Sequence, residues 1–142
     1  MKIKNFVLGL GLIALLSGVA GAQTALPPKP PKGQLTQEWV DAYCQTKQSG
    51  STADMVDCEE VRLEFYDQRL NAAYKELMKV TPDKGALKKE QRQWIKDRDK
   101  YCKMRFGPEN GTITEIQALS CLSDFTQYRT TQLENMAEVI QP

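Results

Sequence analysis

Histidine is absent from the 142 residues, which removes the commonest general base of enzyme active sites. Ser-His-Asp and Cys-His arrangements are impossible, and the usual histidine ligands of a catalytic zinc site are missing. A surplus of one charge is absent too, since 19 Lys and Arg residues face 18 Asp and Glu residues. A dedicated nucleic-acid binder needs a clear excess of basic residues to neutralise phosphates. We therefore expect no enzyme, no cofactor and no nucleic-acid partner.

The N-terminal stretch has the features of a secretory signal peptide. Lys2 and Lys4 precede an apolar run from Phe6 to Val19, and Ala20-Gly21-Ala22 has the small-x-small pattern of a cleavage site. A retained transmembrane helix is the weaker alternative, because the run is short and rich in glycine. No cysteine stands at the cleavage point for acylation. We expect residues 1–22 to be removed, leaving a periplasmic or secreted protein without stable membrane insertion.

Proline dominates the segment that follows, with four prolines between Leu26 and Gly33. Such a segment forms neither a helix nor a central strand. We expect residues 23–34 to be a stiff linker in front of a single domain over residues 35–142.

Apolar residues beyond the linker recur at helical spacing, and no segment alternates as a strand does. The fold class predicted is all-α, a bundle of one short and three long antiparallel helices. The expected boundaries are Thr36 to Thr46, Ser51 to Val80, a third helix after Thr81-Pro82-Asp83, and Thr112 to about Ile140.

Each long helix has a stripe of residues predicted to face inward. In the second helix the stripe is Val56, Leu63, Leu70 and Leu77. In the third it is Leu87, Gln91, Trp94, Ile95, Arg98, Tyr101, Cys102 and Phe106. In the fourth it is Leu119, Leu122, Thr126, Arg129, Leu133, Met136 and Ile140.

The four cysteines, Cys44, Cys58, Cys102 and Cys121, form no C-x-x-C motif. In an exported chain an even number of cysteines indicates disulfides rather than a metal or redox site. Three pairings are possible in principle. The geometry favours Cys44–Cys58 and Cys102–Cys121, because each pair flanks one predicted helix-helix turn.

Three blocks of residues stand in a fixed order around these cysteines. The first runs from Asp54-Met55-Val56-Asp57-Cys58 to the Asp-x-x-Leu-Asn-x-x-Tyr pattern of residues 67–74. The second is the Leu-x-x-x-Gln-x-x-Trp-x-x-x-Arg-Asp-x-x-Cys pattern of residues 87–102, and the third joins Cys121 with Thr126, Arg129 and Leu133. Together they resemble the N-terminal domain of LprI-type lysozyme inhibitors over about residues 40–136. The resemblance implies an exported, disulfide-bonded helical domain with a lysozyme as its protein partner.

Five polar residues fall on or beside the apolar faces of three predicted helices: Asp67, Asn71, Gln91, Arg98 and Arg129. Buried polar groups usually pair with one another, so we expect a network that fixes the register of the helices. The alternative is a groove in which the two arginines bind a carboxylate or phosphate.

Acidic residues cluster at the start of the second helix, where five acids and one base lie between Asp54 and Glu64. Lysozymes of the common animal type are basic, and an acidic surface would steer such a partner. The contact residues are therefore expected among Asp54, Asp57, Glu60 and Glu64. A solvated helix face is the alternative interpretation.

Basic residues dominate the third helix, with nine bases and three acids from Lys84 to Arg105. Lys89, Arg92, Lys96, Lys100 and Lys103 are expected to form an exposed row. This row either binds an anionic polymer or neutralises the acidic helix beside it. The alternative function is thus an envelope interaction or stress module that binds an anionic polymer or another envelope protein, without inhibiting lysozyme.

Overall fold

The computed structural model describes residues 25–48, 50–106 and 111–140, so the predicted signal peptide lies outside the described residues. The helices are α1 (Gln37–Lys47), α2 (Thr52–Val80), α3 (Lys84–Arg105) and α4 (Thr112–Ile140). The described ranges contain no strand, and the predicted all-α fold class is confirmed. Within these ranges no helix has the length and apolar character that a membrane crossing requires.

The N-terminal caps explain where the helices begin. The Thr36 side chain accepts a hydrogen bond from the Trp39 backbone N–H, and Ser51 forms a capping box with Asp54. Asp83 caps α3 by accepting from the backbone N–H of the third helical residue. The fourth helix begins at the predicted boundary, with Thr112 as its first helical residue.

The two long helices α2 and α4 form the most extensive packing, while α1 packs on α2 and α3 packs on α4. Both predicted disulfides are confirmed: Cys44–Cys58 joins α1 to α2, and Cys102–Cys121 joins α3 to α4. Along α3 the α4 partners run in descending order, as between antiparallel neighbours: Gln91 contacts Arg129, Arg98 contacts Thr126, and Cys102 is bonded to Cys121. Antiparallel packing of all three long helices stays a prediction.

The core has two parts at opposite ends of α2. One contains Trp39 and Val40 of α1 with Phe65 of α2. The other brings Leu77, Leu87 and Leu133 of the three long helices together with Ala137. Burial of these apolar side chains is the main favourable contribution to folding.

The predicted inward stripe of α2 is correct in its second half and displaced in its first. Leu70 and Leu77 are buried, whereas Val56 and Leu63 are only half-buried. The buried side there consists of Cys58, Val61 and Phe65. The displacement arises because this half of α2 faces α1, so a different side of the helix turns inward.

The stripes of α3 and α4 are narrower than predicted. Ile95, Tyr101, Met136 and Ile140 are exposed, with 38%, 47%, 40% and 39% of their surface accessible. The α3 helix packs mainly on α4, so a narrow strip of its circumference is covered and flanking apolar positions stay accessible. In α4 the buried strip is formed largely by polar residues, namely Ser123, Thr126, Arg129 and Thr130.

The proline-rich segment, predicted to be a linker, contacts the helical domain in its described part. Leu26 packs against the core, and the Trp39 indole N–H donates to the carbonyl of Pro27 over 2.9 Å. Lys29 of the segment pairs with Glu64 of α2 at 2.7 Å. Directly after the segment, the Gln68 side chain exchanges two hydrogen bonds of 2.9 Å with the backbone N–H and carbonyl of Leu35. The segment therefore lies along α1 and α2 instead of standing free.

Truncating the core of α4 tests the packing of the three long helices. Leu133 is 0% exposed, so Leu133→Ala should lower the free energy of unfolding by about 3 kcal/mol through lost burial and a residual cavity. Val139→Ala is the matched control on the same helix, because Val139 is 87% exposed. Urea unfolding of the oxidised protein measures both variants, and equal effects would contradict this packing.

Candidate functional site

The acidic start of α2 is partly neutralised by a lysine of α1. The Lys47 ammonium lies 2.9 Å from an Asp54 carboxylate oxygen and 3.1 Å from an Asp57 oxygen. These hydrogen bonds, the one to Asp54 first, raise the pKa of Lys47. The Lys47 bond and the backbone N–H of Ser51 lower the pKa of the Asp54 carboxyl. Asp54 and Asp57 thus hold the end of α1 against α2 in addition to any external role.

The remaining acids of this cluster differ in their surroundings. Glu59 accepts a hydrogen bond from Arg62, and its second carboxylate oxygen is buried with no hydrogen-bond partner among the described residues. Glu64 pairs with Lys29 of the proline-rich segment at 2.7 Å. Glu60 is exposed and forms no ion pair with any residue that the structure describes. Its charge is therefore the most available to a partner.

An open groove of about 950 Å³ runs along α2 beside the proline-rich segment and α4. Glu60 and Glu64 lie in its wall, whereas Asp54 and Asp57 do not. Charged groups of both signs line the groove, with acids in the wall formed by α2: Lys32, Glu60, Glu64, Asp67, Arg69, Lys75 and Glu76. Its open, charged character differs from that of the enclosed, mostly apolar pockets that bind small molecules.

Arg98 of α3 links three of the four helices. Its Nη1 lies 3.3 Å from Asp67 of α2 and donates to the Thr126 hydroxyl of α4 over 2.7 Å. Its Nε and Nη2 contact Asp99 at 2.9 and 2.8 Å. Each of its nitrogens therefore has an acceptor within the protein.

Arg129 of α4 is 5% exposed and is satisfied in the same way. Its Nε donates to the Gln91 side chain over 3.0 Å, and its Nη2 donates to Glu90 over 2.7 Å. Its Nη1 donates to Gln132. With both guanidinium groups occupied, the geometry favours an internal network over an anion site.

Trp94 lies between the two arginines. The guanidinium carbons of Arg98 and Arg129 are 5.2 and 5.9 Å from its ring centroid, within the range of cation–π attraction. Asn71, predicted to share the network, is exposed and lines the groove on α2 instead. Among the described residues, no group of three or more acidic or cysteine side chains could hold a metal ion.

Several partners of these residues were missed by sequence reasoning. Nothing in the sequence around Lys47 indicates that its side chain contacts the start of the next helix, on the other side of the turn. Glu90 and Asp99, which bind the two arginines, are adjacent in sequence to Gln91 and Arg98. This adjacency could have identified the two acids as partners of the arginines, because a buried arginine requires a nearby carboxylate.

These features define a small helical protein that is closed by two disulfides and in which the guanidinium groups of Arg98 and Arg129 are paired within the protein. The family described as lysozyme inhibitor LprI matches residues 44–133, and the chain belongs to that family. The matched range begins at the first cysteine and includes both disulfides and both arginines. Comparison with curated proteins gives no match, and comparison with solved structures gives none either.

Replacing Gln91 tests the internal network. Gln91 is 7% exposed and accepts from Arg129, so Gln91→Leu leaves a buried guanidinium N–H without its acceptor. We expect a loss of about 1–3 kcal/mol in the free energy of unfolding. Gln93→Leu is the control, because Gln93 is exposed on the same helix and bonds only Asp97 there. A loss no larger for Gln91 than for Gln93 would refute the network.

The Lys47–Asp54 pair predicts an acid-dependent loss of stability. Because the pKa of Asp54 is lowered from its ordinary 3.8, its contribution is complete above that value and disappears as the pH falls through the folded pKa. Urea midpoints measured from about pH 5 to about pH 2 should fall less for Asp54→Asn than for the unsubstituted protein. Lys47→Met should likewise reduce the fall of the urea midpoint over this pH range, because it removes the ion-pair partner of Asp54. Parallel curves for all three proteins would contradict the pair's contribution.

Proposed function

We propose that the chain is an exported lysozyme-binding protein that inhibits lysozyme through a one-to-one complex. Membership of the lysozyme inhibitor family carries this proposal. Two disulfides support export, because such bonds persist in oxidising compartments outside the cytosol. Removal of a signal peptide after Ala22 belongs to the same proposal.

The surface proposed to meet lysozyme is the groove wall of α2 that carries Glu60 and Glu64. Lysozymes of the common animal type are basic, and this wall carries four acids against the two bases Arg69 and Lys75, so its excess of acids is complementary to them in charge. Glu60 supports the choice most, because its carboxylate is exposed and has no ion-pair partner among the described residues. Asp54 and Asp57 rank below it, since both share their charge with Lys47.

Inhibition by this surface requires no chemistry. The acidic wall steers the basic partner during encounter and raises the association rate at low ionic strength. The groove, about 950 Å³ in volume, then offers a recess for a protruding part of the partner. A protein that covers the substrate cleft of a lysozyme blocks cell-wall hydrolysis by exclusion alone.

The proposal includes that the chain is not an enzyme. It lacks histidine, and its neighbouring acid pairs, Glu59 with Glu60 and Asp97 with Asp99, each lie on one helix. A glycosidase needs two carboxylates that face one another across a sugar. Family membership points the same way, because the family is one of inhibitors.

A titration of lysozyme activity tests the proposed function. Oxidised residues 23–142 are added to hen-type and bacterial-type lysozymes, with cell-wall lysis as the readout. We expect saturable inhibition near one-to-one. Glu60→Gln with Glu64→Gln should weaken it about tenfold, the equivalent of about 1.4 kcal/mol. The control pair Asp124→Asn with Glu138→Gln makes the same change of charge at exposed positions of α4 and should leave inhibition unchanged.

Two results would overturn the proposal. If a large excess of the oxidised protein inhibits none of the lysozymes, the inhibitor function is wrong for this chain. If both double variants weaken inhibition equally, the effect follows net charge and the groove wall is not the contact. A circular dichroism spectrum of each variant establishes that its helices are intact.

A further inference from the structure

Six cations stand on the outward face of α3, and we call them the basic ridge: Lys88, Lys89, Arg92, Lys96, Lys100 and Lys103. All six are exposed. Four of them follow one another at every fourth residue, a spacing that places side chains on one face of a helix. At a rise of about 1.5 Å per residue, the row from Lys88 to Lys103 is about 22 Å long.

No cation of the basic ridge forms an ion pair within the part of the chain that the structure describes. Glu90 of α3 binds Arg129, and Asp97 accepts from Gln93. Asp99 lies among the ridge cations by helical spacing but binds Arg98. The ridge is therefore a surface with an excess of positive charge.

The acidic start of α2 does not neutralise the basic ridge. Four of its five carboxylates pair with Lys29, Lys47 and Arg62, none of which lies on α3. The fifth, Glu60, forms no ion pair with any residue that the structure describes. Like charges four residues apart destabilise a helix. The ridge thus costs the protein stability, and a bound anion would relieve that repulsion.

We propose that the basic ridge binds a linear polyanion, a chain that carries phosphate or carboxylate groups at regular intervals. The cations lie in a row along one helix axis, which matches a chain laid lengthwise. Five of the six are lysines, whose compact charge attracts anions without selecting a planar, bidentate geometry. A shallow depression of about 350 Å³ on this face could accommodate part of such a chain. It is lined by Gly85, Lys88, Lys89, Arg92, Gln93 and Lys96.

A membrane surface fits this face less well. Helices that lie on membranes sink an apolar side into the lipid. By helical spacing, the other positions among the ridge cations are Gly85 and Asp99, neither of which is apolar. The ridge also shares no residue with the groove of α2, so the proposal stands independently of lysozyme inhibition.

Binding of long-chain inorganic polyphosphate to the oxidised protein tests the proposal. The ridge variant is Lys88→Gln, Arg92→Gln and Lys96→Gln. The control is Lys32→Gln, Lys75→Gln and Lys79→Gln, which removes the same charge from exposed positions outside the ridge. We expect the ridge variant to bind at least about tenfold more weakly. Its slope of log affinity against log salt should be shallower by about 2, and the control should keep both values.

Three outcomes would overturn the proposal. The first is that polyphosphate does not bind the unsubstituted protein even at low salt. The second is an equal loss in both triple variants, which would reduce the effect to net charge. The third is binding to phosphatidylglycerol-containing vesicles without binding to polyphosphate, which would assign the ridge to lipid. Lysozyme inhibition should be the same in the ridge variant as in the unsubstituted protein, so the two proposals fail separately.

Discussion

Helices α2 and α4 pack on each other as a central pair, and α1 packs on α2 while α3 packs on α4. A disulfide joins α1 to α2, and a second joins α3 to α4. Closing loops of this length is worth roughly 3 kcal/mol per bond in the chain-entropy account. Domains of this size are stable by only about 5–15 kcal/mol in total. The two bonds therefore hold a large share of the stability, and reducing them should weaken the attachment of α1 and α3 to the central pair.

The buried polar contacts, like the disulfides, hold the helices in one arrangement. Arg98 and Arg129 extend from α3 and α4 to acceptors on their neighbours, with Trp94 between them. Because a buried guanidinium without acceptors is costly, these pairs admit few alternative registers of the helices. A network that is complete within the protein leaves recognition to exposed groups. The exposed charge is divided, with acids on the groove wall of α2 and bases on the outward face of α3.

Helix order, helix boundaries and both disulfides could be predicted from the sequence, because periodicity, caps and turn residues act locally. The inward side of α2 was predicted correctly at Leu70 and Leu77 but not at Val56. The first half of α2 packs on α1, and the periodicity of a sequence does not show which neighbouring helix each half contacts. The proline-rich segment could not be placed either, because its contacts with Trp39 and Glu64 join residues far apart in sequence. For the same reason the sequence identified the acidic cluster but not Lys47, which neutralises part of it.

Mapping the contact surface is the most direct test of lysozyme binding through the groove of α2. The isotope-labelled, oxidised protein is titrated with unlabelled hen-type lysozyme while its amide resonances are followed by NMR. The account predicts that the largest shifts fall on residues that line the groove, around Glu60 to Glu76 and at Lys32 and Gly33, and that they saturate near one equivalent. Saturation with the shifts concentrated on α3, or no shift at a large excess of lysozyme, would contradict it.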